Sequence, residues 1–91
     1  MIKEEIVITN SLGIHARPAS LLAQEAGKFK SDILLIKGGI EINAKSIMGI
    51  MMLAAEKGTK LTLSITGVDE NDAHKALKKV FKNISEEDKY L

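Results

Sequence analysis

Residues 60–66, "KLTLSIT", alternate without a break: Leu61, Leu63 and Ile65 are apolar, and Lys60, Thr62, Ser64 and Thr66 between them are polar. A period of two marks a strand with one face in a core and the other in water. The pattern predicts a sheet covered on one side only. The flanking segments supply the cover. Downstream, Ala73, Ala76, Leu77, Val80, Phe81 and Ile84 form one helical stripe behind Asp69, which reads as the cap. Lys78, Lys79 and Lys82 stand near the C-terminal end of that helix, where its dipole favours cations. Upstream, "KSIMGIMMLAAEKG" (45–58) begins at a serine and closes on a glycine, which predicts a short helix with Ser46 as N-cap.

Further towards the N-terminus, "DILLIK" runs into Gly38 and Gly39, and "IEIN" resumes the period-two pattern, so the pair reads as a hairpin. From Pro18 to Ala26, the residues Ala19, Leu22, Ala23 and Ala26 recur at helical spacing, and Gly27 stands where the helix stops. Residues 2–8 read as the first strand, with Ile2, Ile6 and Ile8 on one parity and Glu4 as the exception. The order is β-α-β-β-α-β-α, an α+β chain expected to form one domain over residues 1–91.

Composition narrows the function. Ninety-one residues support one core but no deep, lidded active site, which directs attention to the surface. A net charge of +1 argues against an electrostatic nucleic-acid binder. Phe29, Phe81 and Tyr90 are the only aromatic residues, and none forms a strand pair for stacking RNA bases. The absence of cysteine excludes disulfides, thiolate catalysis and Cys-based zinc sites. Lys3, Glu4 and Glu5 interrupt the N-terminal apolar run, so neither a signal peptide nor a membrane span is expected, and the cytoplasm is the default location.

One stretch carries chemistry. In "GIHARPAS" (13–20) a proline fixes a helix start, because the donor it lacks is unpaired in the first turn anyway. His15 then falls at or near the N-cap, and Ala16 and Arg17 offer N–H groups without helical acceptors, in a turn that a residue before proline can make irregular. Those donors and the helix dipole attract anions and disfavour an imidazolium. Arg17 adds a planar cation suited to phosphate oxygens. Two readings stand on these residues alone: a site that accepts a phosphoryl group, or a histidine that merely caps a helix. Neither a metal site nor a cofactor is expected, since His74 lies on a charged helix face and no carboxylate cluster has ligand spacing.

The second helix has apolar residues on both sides, Ile47, Ile50, Met51 and Ala54 on one and Met48, Met52 and Ala55 on another. A short helix on a one-sided sheet cannot bury both, so some of these side chains are expected in solvent, although core packing is open for any single methionine.

"GIHARPAS" together with "KSIMGIM" (45–51), and the "DENDA" (69–73) that opens the last helix, resembles the histidine-containing phosphocarrier (HPr) family of the phosphoenolpyruvate-dependent sugar phosphotransferase system. The resemblance spans nearly the whole chain. It implies an open-faced sandwich, a four-stranded antiparallel sheet in the order 1-4-2-3 with three helices on one face. It implies that phospho-Enzyme I passes a phosphoryl group to Nδ1 of His15, which hands it to sugar-specific Enzyme IIA domains. The protein would be a stoichiometric carrier and not a catalyst. Arg17 would stabilise the group in transit, with Ala16, Arg17 and Pro18 forming the helix N-terminus that holds it. Partners would dock on Ser20, Ile47, Met48 and Met51. Ser46 matches the regulatory serine of the Gram-positive type, the substrate of HPr kinase/phosphorylase. Its modification would weaken Enzyme I docking and create a surface for a catabolite-control transcription factor. A monomer is expected. The other function class is an HPr-like regulatory paralogue with no part in sugar uptake; intact His15 and Arg17 favour the carrier. Met52, Leu53, Ala54 and Ala55 depart from the usual small polar residue and Leu-Gly, and their alanines favour a helix continuing to about Lys57.

Overall fold

A computed structural model describes residues 1–87. The elements are β1 (Ile2–Val7), α1 (Ala16–Ala26), β2 (Asp32–Lys37), β3 (Ile40–Asn43), α2 (Ile47–Met52), β4 (Lys60–Thr66) and α3 (Glu70–Ser85), in the order read from the sequence. The strands form one antiparallel sheet in the order β1-β4-β2-β3. β4 is central: Ile65 lies between Ile2 and Ile33, and Leu63 between Glu4 and Leu35. Its three apolar residues are fully buried, as the alternation required. Gly38 and Gly39 both take positive φ, +54° and +84°, the geometry a two-residue hairpin turn needs.

All three helices lie on one face. The inward residues of the sheet, Ile6, Ile33, Leu35, Leu61, Leu63 and Ile65, form one core with Leu22, Ala23 and Ala26 of α1, Ile50 of α2, and Ala73, Leu77, Phe81 and Ile84 of α3. Each fully buried Leu or Ile contributes about 1.5–3 kcal/mol against exposure. On the other face Lys3, Glu5 and Thr62, and the half-buried Leu34 and Ile36, look outward.

Glu4, the exception in the first strand, has a partner. It shares the inward parity of Ile2 and Ile6 but sits at the rim of the core, where its carboxylate meets His74 Nε2 at 2.8 Å and the Lys78 ammonium of α3. Hydrogen bonds from Lys78 first and then His74 hold its pKa below the usual carboxylate value.

Two expectations need correction. The second helix does not reach Lys57; α2 ends at Met52. Leu53 and Ala55 are buried, and Ala54 between them takes φ +48°, which breaks the helix. The Lys37 ammonium donates to the carbonyls of Leu53 (2.8 Å) and Ala54 (3.4 Å). Burial of two side chains and these bonds outweigh the few tenths of a kcal/mol per residue by which alanine favours helix. Asp69 occupies the N-cap of α3, yet its side chain makes no capping bond. It reaches across to the α1–β2 loop, accepting from the backbone N–H groups of Lys30 (2.8 Å) and Ser31 (2.9 Å) and from Ser31 Oγ (2.5 Å). Tyr90 and the rest of 88–91 lie outside the described residues.

Candidate functional site

α1 begins at Ala16 with His15 as its N-cap residue in extended conformation. Its first turn is regular, since Ala19 N–H donates to the His15 carbonyl at 3.0 Å. The His15 side chain does not cap the helix. Its imidazole is therefore released from the local structural duty that the sequence left open for it. The side chain is 36% exposed, enough for a reagent to reach it.

The loop that presents His15 is fixed from below. Gly13 takes φ +66°, and a Cβ there would lie 2.4 Å from the Ala55 carbonyl oxygen and 2.9 Å from Glu56 Cα. Only glycine allows that approach. It lets Ile14 N–H donate to the Ala55 carbonyl at 2.8 Å, while the buried Ile14 side chain joins the core. Asn10, also fully buried, donates through Nδ2 to the Gly13 carbonyl at 2.8 Å. The loop after α2, which Ala54 turns, is thus the platform for the histidine loop.

His15 and Arg17 border a cleft of about 450 Å³ whose other walls are Leu12, Leu21, Asn83, Ile84 and Glu87. Arg17 is exposed and engages no carboxylate within hydrogen-bonding distance among the described residues, so its guanidinium can turn to an incoming anion. Pro18 is buried while Ala16 and Arg17 are exposed, so the proline pins the helix start, and the first-turn amides have no acceptor within the helix. A partly exposed imidazole, first-turn amides and an exposed guanidinium can accept and hold a phosphoryl group.

Two residues that shape the surroundings of His15 were not foreseen. Glu87, in a segment that reads as a charged tail, places Oε1 3.1 Å from His15 Nε2 and accepts from Asn10 Nδ2 at 2.9 Å. Asn10 had only its place in a polar turn to single it out.

The remaining predicted residues lie on α1 and α2, which pack against each other. Ser20 is half-buried, and its Oγ accepts from Gln24 Nε2 at 3.4 Å. Ser46 caps α2 as expected, its Oγ accepting from Gly49 N–H at 3.0 Å. In α2 only Ile50 is buried; Ile47 and Met51 are about two-fifths exposed, and Met48 and Met52 about three-quarters. The methionines are therefore surface residues and not core packing. Leu12 and Leu21 beside the cleft are also exposed. His74 is bound to Glu4 at the β1–α3 contact, and no group of three or more potential metal ligands exists among the described residues. None of the described helices is long and apolar enough to cross a membrane.

Comparison with known proteins bears on the same residues. The family model described as "PTS HPr component phosphorylation site" matches residues 2–83. The chain is similar to the phosphocarrier protein HPr of Xylella fastidiosa, 47% identical over 97% of this chain and 99% of that one. It is also similar to the HPr-like protein Crh of Bacillus subtilis, 47% identical over 80% of this chain and 86% of that one. Among solved structures it resembles the histidine-containing phosphocarrier protein of Mycoplasma, with TM-score 0.89 at 40% identity over 92% of this chain and 96% of that one.

Proposed function

Since the chain belongs to the HPr family of phosphocarrier proteins, we propose that it takes a phosphoryl group from phospho-Enzyme I on His15 and delivers it to sugar-specific Enzyme IIA domains. The observation that carries this reading is a partly exposed imidazole at a helix N-terminus, free of capping duty and beside the Arg17 guanidinium, which meets no carboxylate among the described residues. In the transfer, the Arg17 guanidinium and the first-turn amides of Ala16 and Arg17 meet the phosphoryl oxygens while Nδ1 of His15 bonds to phosphorus. Pro18 contributes by holding the turn. A shallow cleft suits a carrier, which must release the group as readily as it takes it.

The protein acts stoichiometrically, as one domain over residues 1–91 in the cytoplasm, needing neither cofactor nor metal. A single copy suffices for the transfer, for His15, Arg17 and Glu87 of one chain border the same cleft. Ser20, Ile47, Met48 and Met51 dock its partners; the exposure of the three apolar residues supports that assignment, and flexible methionines suit a surface that meets several proteins. Ser46 is the regulatory site for HPr kinase/phosphorylase. A phosphate of about −1.5 to −2 charges at a helix N-terminus leaves the fold in place. It acts by weakening Enzyme I docking and by completing a surface for a catabolite-control transcription factor.

The test mixes the protein with phosphoenolpyruvate, magnesium and Enzyme I and follows the histidine ring signals by NMR. His15 alone should shift, with an acid-labile adduct, and His74 should not. If neither ring is modified while Enzyme I still binds, the chain is a regulatory paralogue instead. For Ser46, incubation with the kinase and ATP should add the mass of one phosphoryl group, and no gain would remove the regulatory role.

A further inference from the structure

Past the end of α3 the chain returns to the active cleft. Glu87 lies two residues beyond Ser85, and its Oε1 faces two groups at once, His15 Nε2 at 3.1 Å and Asn10 Nδ2 at 2.9 Å. Asn10 is fully buried and its Nδ2 donates a second time, to the Gly13 carbonyl at 2.8 Å. An amide nitrogen has two protons, so both are committed. The same buried amide therefore sets the histidine loop and the carboxylate beside it. The Glu87 side chain is only 20% exposed, which limits competition from water for that oxygen.

An ionised carboxylate only accepts hydrogen bonds, so the ring nitrogen facing it is a donor. A neutral imidazole with its proton on Nε2 carries its lone pair on Nδ1. We infer that Glu87 is a positioning residue for the transfer: it holds His15 in the tautomer whose nucleophile is Nδ1, and it offsets the charge that the ring acquires on phosphorylation. The inference rests on the carrier function proposed above. In the step, the Nδ1 lone pair forms the N–P bond while the bond from phosphorus to the donor's nitrogen breaks, its electron pair staying on the donor. The Nε2 proton does not move. The ring is left cationic, with the Glu87 carboxylate against its Nε2–H. Donation to the acceptor reverses these changes, and the ring returns neutral with Nδ1 again unprotonated.

The experiment records ring nitrogen signals of the unphosphorylated, nitrogen-15-labelled protein under conditions where the imidazoles are neutral, in wild type, Glu87→Ala and Glu87→Gln. Transfer rates from phospho-Enzyme I are measured in parallel. Wild type should show the Nε2–H tautomer almost alone, and Glu87→Ala should relax to the tautomer mixture of a free histidine. Its transfer should slow on the order of ten- to a hundredfold, the size of effect found for carboxylates that orient metal-bound imidazoles. Glu87→Gln fits the same space and keeps an acceptor, so it should retain the tautomer and lose less rate. A wild-type ring protonated on Nδ1, or an Ala variant with the wild-type tautomer ratio, overturns the inference whatever the rate. Absence of transfer in wild type would instead count against the carrier function, while the tautomer ratio would still judge Glu87.

Discussion

Ile14 N–H donates to the carbonyl of Ala55 at 2.8 Å, joining the loop that carries His15 to the loop that ends α2. The bond exists because Gly13, one residue earlier, has no side chain to strike that carbonyl. Gly13→Ala puts a Cβ in a left-handed residue and against backbone. The loss expected is about 2–5 kcal/mol, from left-handed strain plus the clash. Urea titration measures it, and a variant within about 0.5 kcal/mol of wild type would mean the platform is soft.

His15→Ala should abolish phosphoryl acceptance and leave stability within about 0.5 kcal/mol, because the side chain caps nothing in α1. Phosphate incorporation and thermal unfolding on the same preparation give the two answers. A large stability loss would reveal a structural duty for the imidazole.

Arg17 can be separated into charge and shape. Arg17→Ala should slow transfer from phospho-Enzyme I about a hundredfold, in the range found for a lost transition-state donor. Arg17→Lys should fall between, keeping the charge without the planar fork. Neither should alter unfolding, since the side chain is exposed.

Ser46 has a measurable structural share in addition to its proposed regulation. Ser46→Ala removes the bond from Gly49 N–H and should cost about 1 kcal/mol. Ser46→Asp keeps an acceptor and places a negative charge at the helix start, so it should recover that stability while weakening Enzyme I binding. Calorimetry and a binding titration on the pair would separate the two roles.

Acid should unfasten two long-range clamps. Hydrogen bonds from Ser31 Oγ first, then Lys30 N–H, hold the Asp69 carboxyl below its ordinary pKa, and Lys78 and His74 do the same for Glu4. A carboxylate with a depressed native pKa adds stability that is complete above its unfolded value, about 4, and is lost as pH falls through the native value. Stability should therefore decline below about pH 5, and Asp69→Asn should flatten that decline. An unchanged slope in the variant would show that Asp69 is not a source of it.

The order of elements along the chain, the one-sided sheet and the place of His15 were all legible, because alternation, helical stripes and a proline near a helix start are local signals; the order of strands in the sheet came only with the family resemblance. The extent of α2 was not. Alanine propensity pointed to a longer helix, and what ended it, the burial of Leu53 and Ala55 and the reach of Lys37, depends on residues distant in sequence. Asp69 shows the same limit from the other side: its residue type and position were those of a cap, but Ser31 offered more donors. Glu87 left no local signal. A glutamate among charged neighbours looks like solvent-facing tail until the fold brings it 3.1 Å from an imidazole 72 positions earlier.

With all helices on one side, the opposite face of the sheet takes no part in the cleft or the exposed apolar helix. Lys3, Glu5, Thr62, Leu34 and Ile36 lie across it in adjacent register. The molecule consequently has a natural handle. A dye, bead or resin linked through a cysteine introduced at Thr62 would leave the exchanging side open to solution, so single immobilised carriers could be loaded and discharged repeatedly by partners flowing past.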